Sequence, residues 1–215
     1  MTGKNWDFSL TSLSILRYNI VRMIEGKIIS LNVSAKKGTA KTAVGKAILK
    51  ENSGIAGDAH AGSDRQVSLL DWGSVEKWLE KRRASKKSPT TAVKPGAGAE
   101  TPAPPDTRTG DNSVTIASPV IRPGDFAENI TTSGFDFKKT AVGDTLRIIN
   151  PATGQLSAVI EITCIGKPCH AACNIKKMVG DCVMPKEGVF ARVIQGGLIK
   201  TGDIIRSIKG ESQTK

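Results

Sequence analysis

The feature that most constrains this chain is its punctuation. Short runs of β-type residues succeed one another, and glycine, proline or aspartate interrupts them at close intervals. Residues 25–34, 42–50, 65–70, 113–117, 145–149, 158–165, 189–194 and 198–208 each read as strand-like. Alternation of period two gives a strand one apolar face, and Gly or Pro ends it. Gly143-Asp144 and Gly202-Asp203 each precede a strand and read as similar turns, while Gly196-Gly197 reads as a hairpin signal. Only one stretch has convincing helical spacing. Asp71 or Ser74 caps it, Trp72, Val75 and Leu79 form its apolar stripe, and Lys81, Arg82 and Arg83 fill a last turn near residue 83. Many short strands and one clear helix predict a mainly β fold, a closed or nearly closed β-barrel with a few short helices.

The organisation follows from where this pattern lapses. Residues 85–112 are rich in Ala, Pro, Gly, Thr, Ser and Lys, with Val93 the single large aliphatic. Such a stretch cannot bury enough surface to offset its ordering entropy, so it reads as a poorly ordered insertion. A long surface loop is cheap to close and need not mark a domain boundary. Residues 1–22 read as a loose or non-native extension and 209–215 as a frayed tail, leaving one domain over 23–208. No apolar run reaches the roughly 18 residues of a membrane helix. Four cysteines without an export signal predict reduced thiols in the cytoplasm.

The formal net charge is +11, which raises the question of nucleic acid. Lys81, Arg82, Arg83, Lys86, Lys87 and Lys94 lie in or beside the low-complexity stretch, however, and aromatic residues make up only 4%, so stacking platforms are scarce. Solvated charge is the preferred reading over a nucleic-acid or partner-binding patch. A basic body also suits an anionic, phosphate-bearing small ligand.

Chemistry concentrates in residues 166–174. A strand over 158–165 stops at Gly166 and Pro168 and delivers Lys167, Cys169, His170 and Cys173 onto a loop. Thiolate is the reactive form of cysteine, and Lys167 and His170 both favour it at Cys169. Cys164 follows the apolar face of its strand and reads as core. A structural zinc site from Cys169, His170, Cys173 and Cys182 is the competing reading, with spacing irregular for zinc. Two further polar groups stand out. His60 lies in a Gly-rich loop followed by Arg65 and Gln66, where backbone N–H groups can approach an anion. Glu128, Asn129, Thr131 and Thr132 cluster on an otherwise apolar segment.

Five stretches, taken in order, resemble MOSC domains, relatives of the C-terminal domain of molybdenum cofactor sulfurase. They are 57–62 (GDAHAG), 65–70 (RQVSLL), 124–134 (GDFAENITTSG), 142–144 (VGD) and 167–169 (KPC). The run 180–193 is similar to the small stand-alone bacterial members. The resemblance covers about 24–84 and 113–208, and the insertion at 85–112 and the extension at 1–22 depart from it. It implies a β-barrel that handles sulfur or the molybdenum cofactor (molybdopterin), held transiently. Cys169 stands at the position expected to carry sulfur as a persulfide or to meet the metal, with Cys173 sharing that role. His60 and His170 are then catalytic acid–base or orienting groups. Arg65, Gln66, Glu128, Asn129, Thr131, Thr132 and Lys167 would bind the cofactor. The partners implied are the cofactor itself, a sulfur donor or acceptor protein, and molybdoenzymes or cofactor-biosynthesis proteins, with possible sulfur-transferase activity. Pyridoxal phosphate is a family-level label, and no lysine here sits in a recognisable motif for it, so none is expected.

Overall fold

The computed structural model describes residues 23–63, 65–86, 120–166 and 182–208. Lys167, Cys169, His170 and Cys173 lie outside these residues, as do the strand expected at 113–117, the extension at 1–22, the tail and most of the insertion.

Eleven strands are formed among the described residues. They are β1 (Ile24–Val33), β2 (Thr42–Val44), β3 (Lys46–Lys50), β4 (Gly54–Ile55), β5 (Val67–Asp71), β6 (Ile130–Ser133), β7 (Thr145–Ile149), β8 (Leu156–Ile165), β9 (Val189–Gln195), β10 (Gly197–Lys200) and β11 (Ile204–Ile208). Helix α1 spans Trp72–Lys86, α2 is one turn at Met184–Glu187, and a 3-10 turn covers Phe137–Lys139. The strands β11, β7, β8, β9, β5, β6 and β1 pair in that order, and β1 returns to β11, so the barrel closes. Closure removes the edges that would otherwise invite association.

The alternation read from the sequence is what fills this barrel. Inward residues include Ile28, Leu31, Leu69, Ile130, Leu146, Ile148, Ile160 and Ile162, all fully buried. Each contributes roughly 1.5–3 kcal/mol relative to exposure. A second sheet, β10–β3–β4, packs on the barrel and adds Ala47, Leu49, Ile55 and Ile199 to the same core.

Three expectations change in detail. Residues 198–208 form two strands, with β10 in the second sheet and β11 in the barrel. Residues 42–50 form two strands where one was expected: β2 pairs with β1, and β3 pairs with β10. Gly45 lies between them, and its carbonyl accepts from Thr201 N. Gly196-Gly197 does not make a hairpin, since β9 pairs with β5 and β8 while β10 pairs with β3. The two glycines turn a corner between sheets. A Cβ on Gly196 would meet the Leu49 carbonyl oxygen at 2.6 Å, which explains glycine there. The two Gly-Asp turns do share their chemistry. Asp144 Oδ2 accepts from Ala141 N and Asp203 Oδ2 from Lys200 N, both at 2.9 Å.

The pair β5–β6 is parallel, unlike the other strand pairs of the barrel. Parallel neighbours need a crossover, and its described parts are α1 and the loop 120–129. Asp71 caps α1 by accepting from the backbone N–H of Gly73 and Ser74. The predicted apolar stripe holds. Val75 is buried with Leu70, Phe126, Cys182, Val183 and Met184, and Trp72, Trp78 and Leu79 pack on them. This second cluster fixes α1 to the barrel exterior. The helix runs on through Ser85 and Lys86, and Ser85 Oγ bonds the Lys81 carbonyl.

Candidate functional site

Most of the cluster predicted at 128–132 is built into the barrel wall. Asn129 enters β6 and ties both neighbouring strands. Its Oδ1 accepts from Ser68 N and Oγ at 3.1 and 2.9 Å, and its Nδ2 donates to the Asn32 carbonyl at 3.2 Å. Thr131 Oγ1 accepts from Asn32 Nδ2 at 3.1 Å and donates to Glu128 Oε1 at 2.7 Å. Thr132 Oγ1 donates to Asp71 Oδ1 at 3.2 Å, which also accepts from Phe135 N. Burial pushes the Asp71 carboxyl up, against these bonds. Gln66 Oε1 accepts from Val193 N at 2.9 Å, joining β5 to β9. These polar atoms are held by protein partners.

Glu128 is the exception. It is fully buried, and Oε1 accepts from Gly124 N at 2.6 Å as well as from Thr131. Its Oε2 has no hydrogen-bond partner. Burial drives its pKa up, with nearby Asp125 adding to the rise, against the bonds from Gly124 and Thr131. The loop that presents it is tight: Gly124 has φ +93°, and a Cβ there would meet the Lys41 carbonyl oxygen at 2.5 Å.

Beside Glu128 lies a nest that sequence reasoning found only in part. Asp58 is completely buried and Lys41 nearly so, and Lys41 Nζ meets Asp58 Oδ2 at 2.5 Å. Ser34 N donates to the same oxygen at 3.1 Å. Asp58 Oδ1 accepts from His60 N at 3.0 Å and faces His60 Nδ1 at 3.3 Å. Burial alone would raise the Asp58 carboxyl, but bonds from His60, Lys41 and Ser34 outweigh it and hold Asp58 well below the usual range. Burial pulls the Lys41 ammonium down, and its bond to Asp58 offsets that in part. The His60 side chain keeps 32% of its exposure. His60 was anticipated. Asp58 carried a signal, two residues earlier in the same Gly-rich loop. Lys41 carried none, since it is one lysine among several before β2.

Contacts lead from this nest to the ends of the cysteine segment. Ser63 Oγ donates to the His60 carbonyl and accepts from Arg65 N. The Arg65 guanidinium lies 5.5 Å from the centroid of the Phe190 ring. Phe190 is the register partner of Cys164 on β8, and Gly166 N donates to the Gly188 carbonyl at 2.7 Å. Gly166 and Cys182 flank the undescribed residues 167–181. Cys182 is buried in the second cluster, and Val183 passes into the wall of a cleft of about 710 Å³. That cleft lies where β5 and β6 end. Trp72, Lys77, Lys81, Lys138, Lys186 and Glu187 are among its lining residues. Lys138 and Glu187 are paired across it at 3.1 Å.

No group of three or more His, Cys, Asp or Glu among the described residues is placed to hold a metal ion. No helix among them is long and apolar enough to cross a membrane.

Comparison with known proteins completes the picture. The MOSC domain family profile matches residues 56–206. The YuaD protein from Bacillus subtilis superposes with a TM-score of 0.58 at 15% identity, covering 88% of this chain and 99% of that one. YiiM from Geobacillus stearothermophilus superposes at 0.52 with 19% identity, over 87% of this chain and 77% of that one. YiiM from Escherichia coli superposes at 0.51 with 15% identity, over 87% and 72%. At these identities the likeness is one of fold. A search of curated protein sequences gives no significant match.

Proposed function

Because the chain belongs to the MOSC domain family, we propose that it is a sulfur-carrier or molybdenum-cofactor-binding domain whose working group is Cys169. The observation that carries this reading is the line of contacts from Gly166 through Gly188, Phe190, Arg65 and Ser63 to His60. It ties the base of the cysteine segment to the Arg65 guanidinium and, through Ser63, to the backbone of the loop that carries His60. In the carrier reading, a Cys169 thiolate attacks the sulfane sulfur of a donor protein's persulfide. The donor's S–S bond breaks, the donor leaves as a thiolate, and Cys169 keeps the sulfur as a persulfide. His60 and His170 handle the proton that must leave the thiol first, and Arg65 and Lys167 stabilise anionic sulfur. Cys173 shares or resolves the sulfur. Reduced thiols are required throughout, which suits a cytoplasmic setting.

The cleft fits a cofactor of this class in size, since small-molecule pockets run to about 300–1,000 Å³. Lys77, Lys81, Lys138 and Lys186 would hold a phosphate there, and Trp72 offers an apolar wall. The molybdenum cofactor, when bound, supplies a metal that takes a thiolate as ligand. Gln66, Asn129, Thr131 and Thr132 serve this site by holding the strands that frame it. Pyridoxal phosphate has no part in this reading.

The test is to incubate the reduced protein with a small-molecule persulfide, alkylate it, and read the Cys169 peptide by mass spectrometry. One added sulfur atom on Cys169 is expected, and none anywhere in Cys169→Ser. Equal loading of Cys169→Ser, together with molybdenum content unaffected by that change after growth with molybdate, would overturn the proposal.

A further inference from the structure

We infer that Asp58 and Lys41 are positioning residues for His60, fixing its imidazole as the Nδ1–H tautomer so that Nε2 is the atom that takes up and returns a proton. The inference deepens the reading of His60 given above and rests on it for the identity of the proton donor, a thiol. The positioning itself rests on geometry alone.

A histidine ring nitrogen that faces a carboxylate carries the hydrogen, and the other nitrogen is left basic. Here Nδ1 faces Asp58 Oδ1 at 3.3 Å, and the backbone N–H of His60 bonds the same oxygen at 3.0 Å. Two bonds to one atom fix where the ring starts and which way it turns. Nε2 lies on the far side of the ring from Asp58, on a side chain that is still one-third exposed. The carboxylate is itself held. Lys41 Nζ and Ser34 N occupy Oδ2, so Asp58 cannot swing away from His60 without leaving a buried ammonium unpaired. Lys41 is anchored in turn, since its N–H bonds the Gly124 carbonyl, and Gly124 N bonds Glu128.

The charged groups linked to this imidazole come from several elements. Asp58 shares its loop and faces the ring, Lys41 arrives from the segment before β2 and pairs with Asp58, and Glu128, from the loop before β6, acts on Lys41. When a thiol gives up its proton to Nε2, the sulfur keeps the electron pair as thiolate and the ring becomes imidazolium. The Nδ1–H then faces an ionised Asp58, which stabilises the new positive charge. An imidazole without that partner forms either tautomer and has no such stabilisation.

The experiment reads the resting protein, independently of sulfur transfer. Long-range 15N–1H spectra of histidine-labelled protein are expected to show His60 as the Nδ1–H tautomer, with Asp58→Asn admitting the Nε2–H form. Diethylpyrocarbonate, which acylates the unprotonated nitrogen, is expected to modify His60 more slowly in Asp58→Asn, because the Nε2–H form admitted there no longer offers a free Nε2. His170, the second histidine of the chain, serves as the internal control. Lys41→Arg should preserve the wild-type tautomer and rate, since a guanidinium can still hold Oδ2. If Asp58→Asn fails to fold, the wild-type tautomer still decides. A dominant Nε2–H form in the wild type, or an unchanged His60 rate in a folded Asp58→Asn, would overturn the inference. Loss of persulfide loading in His60→Gln with the Nδ1–H tautomer present in wild type supports both readings. The same tautomer with loading unaffected retains the positioning and removes the role in sulfur transfer.

Discussion

Glu128 is the most informative residue to perturb, because its two carboxylate oxygens are in opposite situations. Replacing it with alanine removes the acceptor from Gly124 N and Thr131 Oγ1, both buried. A buried donor left unsatisfied costs about 1–3 kcal/mol, so the pair should cost about 2–6 kcal/mol. Glutamine keeps an acceptor for both donors and places its amide where Oε2 now lacks a partner. The two variants therefore separate the hydrogen bonds from the charge. Burial raises the folded pKa of Glu128 above its ordinary value of 4.5. A group shifted this way gives its full contribution below the unfolded pKa and loses it as pH rises through the folded one. Each unit of separation is worth about 1.4 kcal/mol. Wild type should therefore lose stability relative to Glu128→Gln as pH rises from 4.5, while Glu128→Ala stays low at every pH. Urea denaturation of the three proteins between pH 4.5 and 8 measures this, and the difference between wild type and Gln cancels the other titrating groups. If that difference does not change with pH, or grows in favour of wild type, Glu128 is ionised in the fold. Its neighbour Lys41 would then be its counter-ion, and burial would not hold Glu128 protonated.

Two further perturbations test the frame. Lys41→Met strands the Asp58 charge in the interior and should cost about 3–5 kcal/mol at neutral pH. Asp58 is depressed in the fold, so its contribution is present above pH 3.8 and lost on acidification; that acid-dependent part should shrink in Lys41→Met, as urea midpoints across pH will show. Gly26→Ala places a Cβ at 2.6 Å from Phe135 Cβ and 2.9 Å from the Ser133 carbonyl oxygen, where backbone must move. A loss of about 1–3 kcal/mol by thermal or urea melting is expected, and wild-type stability would contradict the tight packing of β1 on the 133–135 turn.

The barrel was legible in the sequence because period-two alternation and turn glycines are local signals. Ile160 and Ile162 declare their face without reference to anything distant, and Gly143-Asp144 and Gly202-Asp203 declare their turns. Pairing is not local. Nothing around Gly196-Gly197 distinguishes a hairpin from a corner, and the answer depends on β3, about 150 residues earlier in the chain. The same limit applies to the site. Asn129 and Thr131 were visible as polar residues among apolar ones, but not that Ser68 and Asn32 would take up their hydrogen bonds. Lys41 was invisible because a buried lysine looks like any other lysine until its carboxylate is known. Asp71 was read as a cap, and its second task, holding Phe135 N and Thr132, needed the parallel strand beside it.

That parallel pair also explains why function can gather here. In an antiparallel meander, the loops entering two neighbouring strands lie at opposite ends of the barrel. Because β5 and β6 run the same way, the loops entering them, 56–66 and 120–129, arrive together. The Gly-rich loop carries Asp58 and His60, the other carries Gly124 and Glu128, and Lys41 bonds to both. The exits are together too, so that Asp71, Trp72, Ser133 and Gly134 share the wall of one cleft. One crossover thus gathers polar side chains at both ends of the same strand pair, and β9, paired to β5, brings Phe190 and the described ends of the cysteine segment alongside. A single antiparallel substitution for that crossover would keep the core and scatter the site.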